Sequence, residues 1–439
     1  MAREMKDSGI EWIEEIPKKW EIIKLKYVSY LNPKIDIKNI KEDTEVTFTP
    51  MDKIKNGYFI NNKSIWKNNN SSYTNYSEND IVMAKVTPCF ENGNIAIMNR
   101  LYNNIGFGSS ELFVFRNKNN IKNKYLFYFL RNEMFKKLGK ISMTGAGGLK
   151  RISSEFILNF KLFLPPLEEQ EKIANYLDKK VADIDLIIEK TKITIEDYKK
   201  YKQSIITEAV TKGLNSNVEM KDSGIEWIGQ IPKHWTLKKF RNILIERNEK
   251  NIPIKTFERL SLSIDKGVTL YSEKTTNLDR FKEDVSQYKI AHINDLVLNS
   301  MNMIVGAVGV SKYFGCVSPV YYTYYDKIKN SPTPKFCNYL FSSKTIKKVL
   351  FSLGRGIMAI DRGDDKINTC RLKVSRDDLR SLIFPIPSLK EQQQIVDYLD
   401  KKVAEIDNLI AKKESLISEM EEYKKSLIYE CVTGKKEII

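Results

Sequence analysis

The chain repeats itself. MKDSGIEWIEEIPKKW at 5–20 returns as MKDSGIEWIGQIPKHW at 220–235, identical at 13 of 16 positions, and PPLEEQEKIANYLDKKVADID at 165–185 returns as PSLKEQQQIVDYLDKKVAEID at 387–407. The offset is 215 for the first pair and 222 for the second, so the second copy is seven residues longer. A repeat of this length means one fold used twice, each copy running from a near-identical leading segment through a divergent module to a similar tail. The divergent modules keep a common skeleton. Asn79-Asp80-Ile81-Val82 answers to Asn294-Asp295-Leu296-Val297, Tyr125–Leu130 to Phe336–Phe341, and Leu138-Gly139-Lys140 to Leu353-Gly354-Arg355. Shared frames with unlike surfaces suit a protein that reads two different targets; drift after duplication is the alternative.

The tails carry a heptad seam. The stripe positions fall at Ile173, Leu177, Val181, Ile184, Ile188, Thr191, Ile195 and Tyr198, and again at Ile395, Leu399, Val403, Ile406, Ile410, Lys413, Ile417 and Met420, apolar at all but Thr191 and Lys413. Steps of four and three predict long helices with one continuous packing stripe. No Pro or Gly interrupts 168–212, Pro165 and Pro166 precede it, and Gly213 follows it. Those are start and stop signals. A helix of that length is a rod of roughly 70 Å. Two like seams in one chain pack most simply on each other, through Leu177, Val181, Ile184, Ile188 and Ile195 on one helix and Leu399, Val403, Ile406, Ile410 and Ile417 on the other. The alternative is that each helix lies on its own domain. The connection 214–219 is too short to run back along the rod. An antiparallel pair would therefore set the two modules at opposite ends, related by a pseudo-two-fold axis, a symmetry that duplex DNA shares.

Charge is segregated. The chain carries 72 Lys and Arg against 56 Asp and Glu, a net +16. Residues 21–163 hold 22 basic and 12 acidic side chains and 236–386 hold 26 and 15, whereas 168–213 hold 9 and 10 and 387–439 hold 9 and 11. The positive excess belongs to the two modules, which favours a polyanionic partner, with nucleic acid first. Strand-like runs (Thr44–Thr49, Ile81–Val86, Ile95–Met98, Glu111–Arg116, then Asp295–Asn299, Ala307–Ser311, Val317–Tyr325) and short helices over Lys124–Leu138 and Lys335–Leu350 give each module an α+β character. Loops rich in small, polar and basic residues are the candidates for DNA contact. In the first module they supply Lys85, Thr87, Ser109, Ser110, Thr144, Lys150 and Arg151; in the second, Asn299, Ser300, Asn302, Ser311, Lys312, Arg355 and Arg362. Arg and Lys suit guanine edges and Asn suits adenine, while most basic side chains in such loops touch phosphate.

Catalytic patterns are missing. There is no GxxxxGK[ST], no Asn/Asp-Pro-Pro-Tyr/Phe, and no GxGxxG after a strand. TGAGGLKR at 144–151 lacks the P-loop register, Asp364-Asp365-Lys366 has no convincing upstream carboxylate, and His234 falls where the first copy has Lys19. Five scattered cysteines and two histidines exclude a zinc finger. The odd cysteine count fits a reducing compartment. The N-terminus has no apolar stretch of signal-peptide type and no apolar run reaches 18 residues, so the expected location is cytoplasmic, away from membranes.

The KDSGIEWIG–IPKHW segment, the PPLEEQ…IA.YLDKK…ID helix start and the YKKSLI-like helix end, each present twice and in order, resemble the specificity subunit (HsdS) of type I restriction-modification systems. The resemblance covers nearly the whole chain and is weakest inside the two basic modules. It implies a leading segment at 1–20, a first target recognition domain at 21–165, a central spacer helix at 166–213, a repeated leading segment at 214–235, a second target recognition domain at 236–386, and a C-terminal spacer helix and tail at 387–439. The fold it implies is two mixed α/β recognition domains separated by an antiparallel coiled coil. The chain would be non-catalytic. Each domain would read half of a bipartite site in double-stranded DNA, and the helices would set the spacer and dock two modification (HsdM) subunits. The cofactors S-adenosylmethionine, ATP and Mg would belong to those subunits and to two restriction (HsdR) subunits. An independent nuclease, or a coiled-coil scaffold that binds only proteins, are the rival readings of the residues.

Overall fold

The computed structural model describes residues 3–36, 40–66, 73–146, 148–273, 284–357 and 371–438. Backbone packing divides the chain into two units, Met1–Thr191 with Glu414–Ile439, and Lys192–Lys413. Each therefore takes a stretch of both long helices.

In unit 1 the leading hairpin pairs Met5–Asp7 with Glu15–Pro17, and Glu21–Lys24 pairs with Lys161–Leu164 just before the helix begins. The module holds two four-stranded sheets. One is ordered Ser29–Leu31, Leu112–Asn117, Ile81–Ala84, Ile95–Ile97 and is antiparallel throughout. The other runs Lys63–Ile65, Glu45–Thr49, Ile105–Gly108, Thr74–Ser77, with one parallel contact between Glu45–Thr49 and Ile105–Gly108. Leu112, Val114 and Val82 face one apolar cluster, whereas Phe113, Phe115, Ile81 and Met83 face the other. This is the period-two alternation of a sheet covered on both sides.

Unit 2 rebuilds the first of these sheets with the same strand order: Ile245–Glu246, Tyr321–Tyr325, Leu296–Asn299, Val308–Val310. Around it stand paired strands, Leu260–Ser263 with Gly267–Leu270, Lys289–Ala291 with Gly315–Val317, and Arg355–Ile357 with Arg371–Lys373. Each strand-like run of the sequence contains a strand; Val317–Tyr325 is the exception in form, because Gly315–Val317 and Tyr321–Tyr325 pair with different partners.

The expected short helices are each two. Asn123–Arg131 and Glu133–Ile141 meet at Asn132, and Thr333–Ser342 and Lys344–Leu353 meet at Ser343. Both junction residues are extended and cap the second helix, Asn132 accepting from the Phe135 amide at 2.9 Å and Ser343 from the Ile346 amide at 3.4 Å. The capping side chain competes with helix continuation and wins. The corner lets both faces of the helix pair reach the core.

The long helices span Leu167–Lys212 and Leu389–Val432. In unit 1, Leu177, Val181, Ile184 and Ile188 are buried in one cluster with Leu427, Ile428 and Val432, and Ile417 packs against it partly buried. In unit 2, Leu399 is buried and Val403 half-buried beside Ile206, Ala209 and Val210, and Ile195, Ile406 and Ile410 are buried as well. The direction is antiparallel in each. In unit 1, Tyr176 meets Lys436 while Asp185 meets Lys424 at 2.5 Å; in unit 2, Lys202 meets Asp407 at 2.5 Å while Gly213 lies against Glu391. Asp185–Lys424 and Asp407–Lys202 are the same ion pair in the two copies, since 222 residues separate Asp185 from Asp407 and Lys202 from Lys424. Among the described residues no helix is long and apolar enough to cross a membrane.

Candidate nucleic-acid interface

Three stretches far apart in sequence converge at one end of the antiparallel sheet of unit 1. Strand Ile81–Ala84 runs out into Lys85, whose amide donates to the Glu111 carbonyl (3.1 Å) and whose carbonyl accepts from the Ile152 amide (2.9 Å). Thr87 clamps the glycine-rich loop: its amide donates to the Lys150 carbonyl (2.9 Å), and its hydroxyl donates to the Gly148 carbonyl and accepts from the Lys150 amide, both at 2.9 Å. Thr144 and Arg151 close the loop by exchanging backbone hydrogen bonds of 3.0 and 2.8 Å. Gly145 sits just inside that closure at φ +142°, where a Cβ would lie 2.5 Å from the Leu149 carbonyl oxygen, so glycine is required. Met143, Val86 and Ile152 are buried beneath and anchor the loop. Ser109 accepts from the Glu111 amide at 3.2 Å, with Ser110 exposed beside it. All seven residues expected in this module thus lie on one surface.

That surface has one fixed charge pair and two freer cations. Arg151 donates Nε to Glu111 Oε2 (2.8 Å) and Nη2 to Oε1 (2.9 Å). These bonds first, and the Lys85 charge after them, hold the Glu111 carboxyl below its ordinary range against the opposing effect of burial. The same pairing raises Arg151. Lys150 is exposed, and Lys85 lies half-buried with its ammonium 5.8 Å from the Phe113 ring centroid.

The second module is arranged differently. Asn299 (8% exposed) and Ser300 (0%) are buried, as is Ser311 (1%). Asn299 accepts from the Met301 amide at 3.1 Å, the Ser300 carbonyl accepts from the Val374 amide at 3.0 Å, and the Ser311 hydroxyl bonds the Tyr313 carbonyl at 2.8 Å. The Asn299 and Ser311 side chains serve their own turns and the Ser300 hydroxyl is buried, which takes all three off the surface. Ser311 and Lys312 also lie at the other end of the sheet from Asn299, since Leu296 pairs with Val310 and Asn299 with Tyr321. What remains at the Asn299 end is half-buried Asn302 and exposed Arg355, whose guanidinium is 3.8 Å from Asp378. Arg362 and Asp364–Lys366 lie outside the described residues.

Two residues here gave no signal in the sequence. Lys373 pairs with Arg355 in the ladder and immediately precedes Val374, so it stands where Arg151 precedes Ile152 in unit 1. Glu111 carries the wrong charge for a DNA contact; only its position against Arg151 gives it a role.

Away from these loops, unit 2 has a groove of about 1170 Å³ along the end of the first long helix, lined among others by Lys199, Lys200, Trp227, Lys344 and Lys348. The positions in unit 1 that answer to Lys199, Lys200 and Lys344 are Glu421, Glu422 and Glu133.

Residues 17–197 and 231–418 match the model of the type I restriction modification DNA specificity domain. The EcoAI specificity subunit of Escherichia coli is 39% identical over 163 residues, 36% of this chain and 27% of that protein, and the EcoEI subunit of the same species is 28% identical over 196 residues, 44% and 33%. The chain thus spans a third or less of these two curated relatives. The MjaVIII specificity subunit of Methanocaldococcus jannaschii is 26% identical over 441 residues, covering 96% of this chain and 93% of that one. Among solved structures, a chain from work on complex assembly and conformational transition of the type I R-M system aligns with a TM-score of 0.71 at 16% identity, covering 96% of this chain and 99% of that one. The HsdS subunit from Thermoanaerobacter tengcongensis aligns with a TM-score of 0.55 at 15% identity, covering 96% and 98%. At these identities the likeness is one of fold.

Proposed function

The chain belongs to the type I restriction modification DNA specificity family, and from that premise we propose that it is the non-catalytic sequence-reading subunit of such a complex, each unit reading one half of a bipartite site in double-stranded DNA. The observation that carries this reading is the duplicated sheet end with different side chains on it. Backbone positions that hold Lys85, Glu111 and Arg151 in unit 1 hold Ser300, Val320 and Lys373 in unit 2. One frame with two chemistries is what two unlike half-sites need. The exposed lysines supply salt-dependent attraction to phosphate, and the fixed polar groups supply choice of base.

The long helices, in this reading, pair along their length as an antiparallel coiled coil and set the distance between the half-sites. The reciprocal Asp185–Lys424 and Asp407–Lys202 pairs support it. Two modification subunits dock on this helical region, where the lysine groove offers a basic surface, and two restriction subunits join them. Methyl transfer from S-adenosylmethionine and ATP- and Mg-dependent cleavage belong to those partners.

Single-molecule sequencing of host DNA for methyladenine, with and without the gene, tests the proposal. Loss of a bipartite motif with the gene supports it and gives the recognised sequence. An unchanged methylation pattern, together with failure to co-purify a methyltransferase, would reject it.

A further inference from the structure

The Arg151–Glu111 pair lies at the surface with a geometry suited to reading a base. A guanidinium presents five N–H groups in a plane. Glu111 occupies the side edge, taking Nε and Nη2 at 2.8 and 2.9 Å. The outer edge, formed by Nη1 and the second hydrogen of Nη2, points away from the carboxylate. Two parallel donors at that edge match the O6 and N7 acceptors that guanine, alone among the bases, presents side by side in the major groove.

Orientation decides whether such an edge reads a base or only meets phosphate. A free arginine spreads over many rotamers. Arg151 is held at both ends. Its backbone exchanges two hydrogen bonds with Thr144, and the next residue, Ile152, is buried and donates to the Lys85 carbonyl. Glu111 is tied to the same peptide, because the Lys85 amide donates to the Glu111 carbonyl at 3.1 Å. Arginine and carboxylate are thus mounted on one residue of the sheet end. Lys150, next in sequence, is fixed only through its backbone to Thr87, and its ammonium suits a phosphate.

We propose that Arg151, aimed by Glu111, reads a guanine through its N7 and O6 in the half-site recognised by unit 1. Arg151 is the specificity residue and Glu111 the positioning residue. The inference rests on the reading of the chain as a DNA specificity subunit and adds the base. Among the described residues unit 2 carries no copy of the device, since Val320 and Lys373 stand in the corresponding places.

The test maps methyladenine in host DNA carrying the wild-type gene, no gene, or the variants Arg151→Gln, Arg151→Lys and Glu111→Gln. With the wild type, a bipartite motif appears, and one half-site contains an invariant G·C pair. Arg151→Gln makes that pair degenerate, with about a tenfold or greater rise in methylation at sites altered there relative to the motif. The other half-site is unaltered. Glu111→Gln relaxes the same position less and no other, a result that a purely structural role would not give. If Arg151→Gln abolishes all methylation, Glu111→Gln decides. It keeps the guanidinium and removes the charge that aims it, so a relaxed G·C position supports the proposal and an intact motif overturns it. A wild-type motif left unchanged by both Arg151 variants, or a pair of half-sites with no G·C position, overturns the proposal while the specificity reading stands. Absence of any gene-dependent motif in the wild type removes that reading, and this one with it.

Discussion

Trp20 donates its indole N–H to Glu169 at 3.0 Å, and the second copy repeats the bond as Trp235 to Glu391, also at 3.0 Å. Both indoles are buried, and in each copy the bond fastens the end of the leading segment to the first turn of a long helix. A carboxylate in a first helical turn also complements the exposed amides there. Trp20→Phe keeps the packing and removes the donor, and costs about 1–3 kcal/mol because the acceptor is charged. Trp20→Ala costs about 3–5 kcal/mol through the cavity it opens. Denaturation by urea, read at the midpoint, ranks the wild type and the two variants; a Trp20→Phe midpoint equal to that of the wild type would show that the bond does nothing.

Ile184 and Ile406 are the same seam position in the two helices, both buried at 5% exposure. Lysine at either forces a charge into an apolar contact and lowers stability by several kcal/mol. Reversing the neighbouring exposed pair, Asp185→Lys with Lys424→Asp, changes stability by under about 1 kcal/mol. Thermal unfolding distinguishes the outcomes. A seam variant as stable as the charge-reversed one would mean that Ile184 does not sit in a packing stripe.

The seam was legible because its rule is local: a period of three and four fixes the face wherever the helix lies. The helix ends followed from Pro165, Pro166 and Gly213 for the same reason. The helix break at Asn132 was not read, since Asn inside an apolar run is an ordinary exposed residue until its side chain is seen to cap. Ser300 and Ser311 belong to loops of small, polar and basic residues, whose composition points to the surface; their burial goes with bonds to Val374 and Tyr313 that composition does not encode. Glu111 and Arg151 are forty residues apart and meet only through the peptide of Lys85. No local pattern encodes that meeting, nor the contact of Thr87 with Lys150; loop composition marked Lys85, Thr87 and Lys150 only one loop at a time.

Glu111 gives a pH prediction with a definite sign. Its carboxyl is held low by Arg151, so the pair's contribution is present above the ordinary glutamate range and is lost as pH falls through the lowered value. Carbon-13 NMR of the Glu111 carboxyl gives a titration midpoint below 4.5, and Arg151→Ala returns it upward. A midpoint unmoved by the substitution would show that the two side chains do not share a proton-linked contact in solution.

Thiol chemistry follows burial. Cys431 is buried and pushed up to about 12, Cys337 is buried and raised further, and Cys316 is buried and raised, each chiefly by desolvation. The thiolate is the reacting species, so these three resist alkylation in the folded chain. Half-buried Cys89 is labelled before them. Peptide mapping after brief iodoacetamide treatment checks the order, and early labelling of Cys431 would mean that the end of the second long helix opens readily.

If the modification subunit docks on the lysine groove, partner docking and DNA reading can be separated by substitution. Lys199, Lys200 and Lys348 line it and none belongs to the loop surface. Replacing all three by Glu inverts its charge, so a partner held there by an acidic surface dissociates more readily, by tenfold or more if each lost pair is worth about 0.5 kcal/mol and each new repulsion as much. Co-purification yield of the modification subunit falls, while any methylation that persists keeps both half-sites. An altered half-site would place these lysines on the DNA instead.

Helix length is the remaining variable. One heptad removed from each long helix keeps the seam in phase and shortens the rod by about 10 Å. If the helices set the distance between the half-sites, the spacer between them contracts by no more than about three base pairs, at ~3.4 Å per pair. Both half-site sequences stay as they were, because Arg151, bridged to Val86 and Thr144 at a sheet end, and Lys373, in a strand, lie on elements that the deletion does not touch. Methyladenine sequencing reads spacer and half-sites in one measurement. A constant spacer with intact half-sites would move the ruler from the helices to the bound partners.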